Sequence, residues 1–560
     1  MNDWKWPPRY TTMYYLSLVL LVASLPLSKF TMSLCQFSTL FFWLWHCVDT
    51  GFLKKYPSKS LFIPIRLFRF LGEVLREVFI ALIKKFIGFF GNKPAMAIAS
   101  LLLLHVIGLI YTTDFNYALK DLRTKLPIFI MPLFIATGPR ISTRVFYWIL
   151  AGFVAAVVGG SIYRLILYLN LPIADNRALD AHTSHIRYSL NAVYAIFCML
   201  FFVHSKAIIG LWSKIFLIIA SLWIAGFILF MNYTTGMALL LIISMLMFFF
   251  FIFRIKSIFW KISLLLAGFV AILLPAVWVI NISINFSHKP SIDFSSLEKY
   301  SPRGNSYYHD TVNFKTKNGE WLGLYICDKE LRQTWALRSS QPLDSLDPKG
   351  QTRRFTLIKY LASKGLRKDA DGVARLTTPD IRNIEAGINS SSYSKWKGLQ
   401  TQFEEFLISY QRYVQQNDPN SSSMMQRFEY WRTSLIIIRQ NLVFGVGTGD
   451  VPDAFKKQYL VMNSVLSHQN RLRSHNQYLS ITVAFGILGF IWFLFVMFYP
   501  GFKKQMFNNY FYIIFWIIFM VSMLTEDTIE SQEGVTFYVL FTALLLLGRE
   551  KPEEQEKLFG

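Results

Sequence analysis

Two apolar stretches in the middle of the chain, residues 215–231 (IFLIIASLWIAGFILFM) and residues 236–253 (GMALLLIISMLMFFFFIF), decide the fold. Neither contains a charged residue, and each matches the length of about 17–25 residues that crosses a bilayer. The whole chain of 560 residues has the same character, being 53% hydrophobic and only 16% charged. Soluble domains carry about 25% charged residues. The composition excludes a soluble domain, a disordered chain and a disulfide scaffold, and it predicts an all-α polytopic membrane protein.

Similar apolar stretches recur along the chain and predict about twelve transmembrane helices. The first has a basic flank but no small-residue cleavage site, so we expect a span there and not a removed signal peptide. The predicted spans lie near residues 13–27, 32–48, 95–111, 126–136, 145–169, 186–204, 215–231, 236–253, 262–280, 477–499, 510–524 and 535–547.

Basic residues cluster after every even-numbered span, which predicts that those loops and both termini are cytoplasmic. Within the first such loop, residues 61–90 alternate apolar and basic positions, as in an amphipathic helix on the inner membrane surface that contacts anionic lipid. The predicted organisation has four parts: an N-terminal transmembrane region (1–280), a large, mostly helical periplasmic loop domain (281–475), C-terminal transmembrane helices (476–548) and a cytoplasmic tail (549–560).

The large polar loop has a net positive charge, and in so long a loop this charge does not determine the orientation in the membrane. Residues 281–474 contain 27 Lys and Arg against 18 Asp and Glu, a net of +9. In a soluble protein the overall excess of +23 would suggest nucleic acid, but in a membrane protein it suits anionic lipid or phosphate. The loop therefore suits an anionic ligand, and a solvated basic face is the alternative.

Familiar catalytic signatures are missing from the sequence. There is no Walker loop, no HExxH, no Cys/His cluster and no GxSxG elbow. Asp114 stands alone and Asp121 lies beside Arg123, so no carboxylate cage for a divalent metal is evident. We therefore expect neither a metal nor a cofactor.

Polar residues with possible chemistry concentrate where the large loop ends. The segments are QRFEYWR (426–432), FGVGTGD (444–450) and RLRSHNQYL (471–479), and the next apolar span follows directly. A neutral imidazole at His475 can accept a proton from a hydroxyl, and arginine binds phosphate oxygens in a bidentate fork. The alternative is that His475 and Asn476 only cap the following helix. The three alternating glycines favour a tight turn over a phosphate nest.

These segments resemble a known family. FGVGTG (444–449), SHNQYL (474–479) and FGILG (485–489), with LTED (524–527) and QEGV (532–535), are similar to the signature of the O-antigen ligase/polymerase superfamily. SPRGN (301–305), TLIKYL (356–361) and KGL (364–366) resemble its Bacteroidota-type branch. The resemblance is specific from about residue 301 to the end and is one of architecture only before that.

The resemblance implies a specific activity. Such proteins are inverting, metal-independent glycosyltransferases of multi-span, GT-C-like architecture in the bacterial inner membrane. They move a glycan from undecaprenyl diphosphate to an acceptor hydroxyl on the periplasmic face. The acceptor is the lipid A–core in a ligase and the growing glycan in an O-antigen or exopolysaccharide polymerase, and the sequence leaves this choice open.

The same resemblance assigns site residues. The family's histidine falls on His475, the proposed base, and its acidic residue falls on Glu526 or Asp527. Its diphosphate-binding arginine falls on Arg427. Three neighbours in the same motifs complete the predicted donor site, namely Arg432, Arg473 and Asn476.

One family feature is missing. Many members carry a Ser-Arg pair at the outer start of a span, where this chain has YTTG (233–236). Arg187, at another predicted outer boundary, is the candidate replacement, and interfacial anchoring is its alternative role.

Two other classes of function stay open. A lipid-linked sugar flippase or transporter would also have about a dozen spans, although internal repeats and mid-membrane charges, which transporters show, are missing here. A membrane-anchored binding or assembly factor would use the large loop and leave His475 unimportant. Transfer of a glycan between lipids without ATP would separate the enzyme from both.

Overall fold

The computed structural model describes most of the chain, in ten ranges and one further residue: 9–47, 64–170, 183–205, 210–287, 293–310, 316–317, 320–348, 350–391, 399–420, 422–550 and 556. Over these residues the fold is helical apart from one short antiparallel ladder between β1 (Thr316–Lys317) and β2 (Glu320–Trp321). The chain divides into two compact units. The first combines Met1–Phe251 with Ser423–Gly560, and the second is Ile252–Ser422.

The helices are numbered here in chain order. They are α1 (Arg9–Ser24), α2 (Lys29–Trp45), α3 (Pro64–Phe90), α4 (Lys93–Ile107), α5 (Phe115–Lys125), α6 (Pro127–Thr137), α7 (Thr143–Asn170), α8 (His185–His204), α9 (Leu211–Phe230), α10 (Thr234–Arg254), α11 (Ile258–Ser287), α12 (Asp328–Ala336), α13 (Arg353–Ser363), α14 (Ala370–Ala374), α15 (Thr378–Glu385), α16 (Leu399–Gln416), α17 (Ser423–Gln440), α18 (Val451–Val461), α19 (Gln477–Lys503), α20 (Tyr510–Ser522) and α21 (Gln532–Ala543).

Seven helical segments in the described part of the chain are long and apolar enough to cross a membrane, which confirms a polytopic membrane protein. They are Lys93–Tyr111, Thr143–Asn170, His185–His204, Leu211–Phe230, Thr234–Arg254, Ile258–Ile284 and Gln477–Lys503. The five other predicted spans also fall on helices, but on shorter ones. The total of twelve and the outward position of the large loop therefore stay predictions.

Helix α6 is the shortest of the predicted spans. Its 11 residues cover about 16 Å at 1.5 Å per residue, roughly half of the hydrocarbon thickness. Pro127 lies in its first turn, where a missing N–H costs little, and Pro132 lies inside it. The helix is nevertheless well buried and packs against α4 and α21. Neighbouring helices thus supply the surroundings that a short, proline-containing segment needs.

Helix α8 forms the centre of the first unit, and 83% of its most apolar window is buried. Residues all around α8 are enclosed, because α7, α9 and α20 pack on its sides. Its first two turns carry polar side chains, Arg187, Ser189 and Asn191, that are also buried. A polar group inside such packing requires partners, and buried polar groups in a membrane protein mark functional sites, so this end of α8 is a candidate site.

The long helix α19 is broken at Gly486, whose φ of 63° and ψ of −165° are not helical. The loop before α18 pairs with the break: the N–H groups of Val446 and Gly447 donate to the carbonyls of Val483 and Ala484, both at 2.9 Å. A Cβ on Gly486 would lie 2.2 Å from the carbonyl oxygen of Val443. Only glycine fits there, and the pairing fixes this loop against the start of α19.

The second unit has its own small core, formed by α12, α13 and α15 around Leu331, Trp335, Leu357 and Ile384. The prediction assigned residues 281–475 to one loop domain. Residues from Ser423 onward instead pack with the first unit, because α17 lies against α18 and α19.

Candidate active site

The loop before α19 places His475 in an uncommon backbone conformation. Its φ is +45°, in the left-handed region that disfavours most side chains but that histidine and asparagine enter more readily than others. Asn476 follows as the N-cap of α19, where its side-chain oxygen accepts from the N–H of Leu479 at 3.1 Å. The capping interpretation therefore describes Asn476, whereas the imidazole of His475 caps nothing.

The carboxylate of Asp527 organises this loop through its main chain. Its oxygens accept the N–H of His475 at 3.2 Å and that of Asn476 at 2.9 Å. They also accept the hydroxyl of Ser480 at 2.7 Å and that of Ser474 at 3.3 Å. Hydrogen bonds to a charged acceptor are stronger than neutral ones, so Asp527 fixes the position from which the His475 ring projects.

The imidazole of His475 lies between an aromatic ring and a carboxylate. Its side chain is 33% exposed, and its Nδ1 is 3.9 Å from Oε2 of Glu526, beyond hydrogen-bond length. Nδ1 is buried without another partner. The ring of Tyr430 lies 5.6 Å away, centroid to centroid, and its hydroxyl donates to the carbonyl of Asn470 at 2.8 Å. One edge of the ring thus faces Glu526, and the exposed part remains available to a substrate.

Glu526 joins His475 to Arg427. Arg427 Nη2 donates to Glu526 Oε1 at 2.9 Å, and Arg427 Nε donates to the carbonyl of Thr525 at 3.2 Å. Burial would raise the pKa of the Glu526 carboxyl, but His475, Arg187 and Arg427 outweigh it and hold the pKa below its usual value. Glu526 therefore carries a negative charge that can stabilise a protonated imidazole.

Arg187 reaches the same place from the first turn of α8. Its side chain is 8% exposed, and Nη2 donates to the main-chain carbonyl of Asp527 at 3.2 Å. Nη1 is buried with no hydrogen-bond partner. An unsatisfied donor on a buried guanidinium is costly, and it is the group that an incoming anion would bind. The start of α10, where the family's Ser-Arg pair is missing, lies beside this turn: a Cβ on Gly236 would be 2.8 Å from Cβ of Ser189.

The remaining predicted donor-site residues make contacts with other parts of the first unit. Arg473 points to the other side of the loop, donating to Tyr117 Oη at 2.9 Å and to Glu530 at 3.3 Å. Arg432 is 67% exposed and lies 3.9 Å from Glu429. The side-chain amide of Asn476 donates to the carbonyl of Leu524 at 2.9 Å. Donor binding by these three stays a prediction.

The main-chain N–H groups of the glycine-rich turn already have hydrogen-bond partners within the protein. The N–H of Gly449 donates to Thr112 Oγ1 at 2.7 Å, and that of Thr448 points to the carbonyl of Gly108. Asp450 accepts from the N–H groups of Thr113 and Asp114 at 2.8–3.0 Å. These donors are engaged in holding the α4–α5 connection, as a tight turn requires, and they form no phosphate nest.

Sequence reasoning missed several residues that build the site. Tyr430 lies in the quoted YW element, but only the fold brings its ring to His475. Glu530, Lys125 and Asp121 form a buried ion cluster behind the loop. Glu530 lies between two recognised motifs, LTED and QEGV. A carboxylate at that position could have been predicted to belong to the site.

Possible metal ligands are scattered in the part of the chain that the structure describes. No group of three or more His, Cys, Asp or Glu side chains suited to a metal ion comes together there. The thiols of the four cysteines, Cys35, Cys47, Cys198 and Cys327, form no disulfide bonds.

Comparison with known families gives a match over part of the chain. The sequence model of the family described as O-Antigen ligase matches residues 383–494, a segment that contains Arg427 and His475. The match confirms the resemblance of this segment to the O-antigen ligase/polymerase superfamily. The family supports an O-antigen ligase- or polymerase-like function in general, with lipid-linked glycan and acceptor substrates in a membrane. A search among curated proteins gave no match.

Proposed function

We propose that the chain transfers a glycan from undecaprenyl diphosphate to an acceptor hydroxyl at the periplasmic face of the bacterial inner membrane. The observation that carries this proposal is the convergence of His475, Glu526, Arg427 and Arg187 from four separate parts of the first unit. A base, a carboxylate beside it and two guanidinium groups are what displacement of a diphosphate requires.

In the proposed reaction, Nε2 of His475 accepts the proton of the acceptor hydroxyl while its oxygen bonds to the anomeric carbon of the glycan. The bond from that carbon to the diphosphate oxygen breaks, and its electron pair leaves with the diphosphate. Attack opposite the leaving group inverts the configuration. Glu526 stabilises the imidazolium through Nδ1, and the gap of 3.9 Å closes when substrate binds, since catalytic hydrogen bonds are often long without it.

The arginines would stabilise the charge on the departing diphosphate. Arg187 offers a buried N–H without a partner, Arg427 is partly exposed, and the charges of both guanidinium groups act on Glu526. Because a diphosphate is already an activated leaving group, this arrangement needs no metal ion to supply the driving force. The proposed mechanism is accordingly metal-independent.

We take lipid A–core as the acceptor, following the ligase description of the matched family. A polymerase would use the same groups with a growing glycan as acceptor. Both alternatives are enzymes and differ from a flippase, which would move the lipid-linked glycan without changing its covalent bonds.

Purified protein, a lipid-linked glycan donor and either lipid A–core or free glycan acceptor would test the proposal. His475→Asn is the informative variant, because asparagine also enters the left-handed region and preserves the loop. We expect it to lower the transfer rate about 10²–10⁴-fold. His468→Asn, at an exposed histidine in the same loop, is the matched control and should stay within about twofold, since a substitution away from the site removes no transition-state contact. Transfer at the parent rate by His475→Asn would refute the mechanism.

A further inference from the structure

A buried ion cluster lies behind the His475 loop. Lys125 at the end of α5 is 1% exposed, and its Nζ contacts Asp121 Oδ1 at 2.5 Å and Glu530 Oε2 at 2.8 Å. A small space of about 20 Å³ adjoins these side chains and is large enough for one water molecule. The two carboxylates are opposite in charge to Lys125, and a fourth residue, the cation Arg473, contacts Glu530 as well.

Glu530 connects this cluster to both sides of His475. Its Oε2 accepts from Arg473 Nη1 at 3.3 Å, and its Oε1 accepts from Gln477 Nε2 at 3.2 Å. Arg473 and Gln477 lie two residues before and two residues after His475. Gln477 in turn accepts the N–H of Ile529 at 2.7 Å. One carboxylate thus ties the His475 loop to the segment that carries Glu526 and Asp527.

We propose that Glu530, held by Lys125, is a positioning residue that sets the His475 loop against Glu526. The proposal rests on the proposed function only for its catalytic consequence, because the loop geometry itself is independent of the reaction. Glu530 and Lys125 contact each other, and Glu530 also contacts Arg473 and Gln477 on either side of His475, so both act on His475 through the loop.

The chemistry of the cluster favours positioning over bulk stabilisation. Burying an ion pair costs desolvation that well-packed apolar side chains would avoid, so such a pair is weak evidence of stability. What a carboxylate adds is direction: its two oxygens hold Lys125, Arg473 and Gln477 at defined points. Positions of catalytic groups matter steeply, since a displacement of about 1 Å can cost about 10²-fold in rate.

Hydrogen–deuterium exchange of the full-length protein tests the loop geometry without any activity. In Glu530→Gln and Lys125→Met, we expect the amides of His475 and Asn476 to exchange at least about fivefold faster, because their bonds to Asp527 open more often. Glu530→Asp keeps the charge but shortens the side chain, so exchange of the same two amides should also become faster. This variant provides the test if Glu530→Gln folds poorly. The matched control is Glu556→Gln, which removes a buried carboxylate bonded to Arg549 and Asn509, away from the loop.

Kinetics then test the catalytic consequence. For Glu530→Gln we expect kcat per folded protein to fall at least about tenfold, with KM for the donor lipid within about twofold, because orientation is lost and donor binding is retained. The double variant Glu530→Gln with Lys125→Met should lose no more kcat than the more impaired single variant, since the pair acts as a unit. Glu556→Gln should keep the parent kcat.

Each outcome bears on a distinct statement. Unchanged exchange of the His475 amides in all three Glu530 and Lys125 variants would overturn the proposal, and so would faster exchange spread evenly over the whole chain. Faster local exchange with a parental kcat would also overturn it. If the parent protein transfers no glycan, faster local exchange in the variants would still support the positioning of the loop by Glu530. The absence of transfer by the parent would refute the proposed function instead.

Discussion

Asp527 holds His475 by its main chain and leaves its ring alone: the carboxylate accepts the His475 N–H at 3.2 Å, while Nδ1 of the ring faces Glu526 at 3.9 Å. Two adjacent acidic residues therefore have separate tasks. The family resemblance placed one acidic function on Glu526 or Asp527, and the geometry assigns loop support to Asp527 and the charge beside the ring to Glu526.

Asp527→Ala should disable the loop without touching the imidazole. The change leaves two main-chain N–H groups and the Ser480 hydroxyl without their acceptor. An unsatisfied buried donor costs about 1–3 kcal/mol, so we expect a lower melting temperature together with a transfer rate at least about 10²-fold lower. Thermal denaturation and the transfer assay measure the two effects. A variant that stays as stable and as active as the parent would contradict this task for Asp527.

His475→Gly should separate stability from activity. Glycine adopts a φ of +45° without the steric cost that a side chain meets, but it also frees the unfolded chain. We expect stability within about 1 kcal/mol of the parent and a transfer rate reduced at least about 10²-fold, because the base is gone. His475→Val, which is β-branched and poorly suited to this conformation, should be distinctly less stable than His475→Gly. Equal stability of these two variants would mean that the left-handed conformation is not maintained.

Glu526→Gln should change how stability depends on pH. The folded pKa of Glu526 is lowered relative to the ordinary value of 4.5. The stability it contributes is therefore fully present above about pH 4.5 and is lost as pH falls through the folded pKa. The difference in melting temperature between parent and Glu526→Gln should be constant at neutral pH and shrink in acid. A difference that grows in acid would show that burial, and not the neighbouring cations, controls this carboxyl.

Arg187→Lys and Arg427→Lys should each weaken binding of the donor diphosphate. Lysine keeps the charge but loses the planar fork, and one lost charge-assisted hydrogen bond corresponds to about a tenfold effect. The KM for donor lipid, or inhibition by inorganic diphosphate, reports the change. Arg439→Lys, on the exposed side of α17, is the control and should behave as the parent does. If all three variants match the parent, the diphosphate binds elsewhere.

Cysteine labelling would decide the orientation of the site. In a background without the four native cysteines, Ser340→Cys in the large loop should react with an impermeant thiol reagent in spheroplasts. Lys504→Cys at the end of α19 should react only after lysis, because basic loops stay in the cytoplasm. Both positions are exposed to solvent in the structure. The reverse pattern would place His475 at the cytoplasmic face and end the periplasmic proposal.

The class of protein could be predicted from the sequence because the length of an apolar stretch is a local property of the sequence. Each of the twelve predicted apolar stretches coincides with a helix, including the short α6. His475 and Arg427 were predicted from motifs, and both lie in the matched family segment. Lys125, by contrast, lies 405 positions from Glu530, and no local pattern connects the two residues.

The extent of the loop domain was less predictable, for a physical reason. Polarity marks where a chain leaves the membrane, and residues 423–475 are polar enough to be read with the large loop. Their packing is decided by other contacts, such as those of Tyr430 and Ile437, which belong to the core of the first unit. A change of packing partner within one polar stretch leaves no signal in composition.

The break in α19 at Gly486 has a consequence for biogenesis. Val483 and Ala484 face their carbonyls toward Val446 and Gly447, which are synthesised earlier than α19. In hydrocarbon an unpaired carbonyl is strongly unfavourable, so the first part of α19 is accommodated only with that loop already beside it. A protein cut between α18 and α19, or rearranged so that α19 were made first, would present a helix with two open carbonyls to the insertion machinery. This stretch is therefore a poor place to divide the chain or to insert a fusion partner.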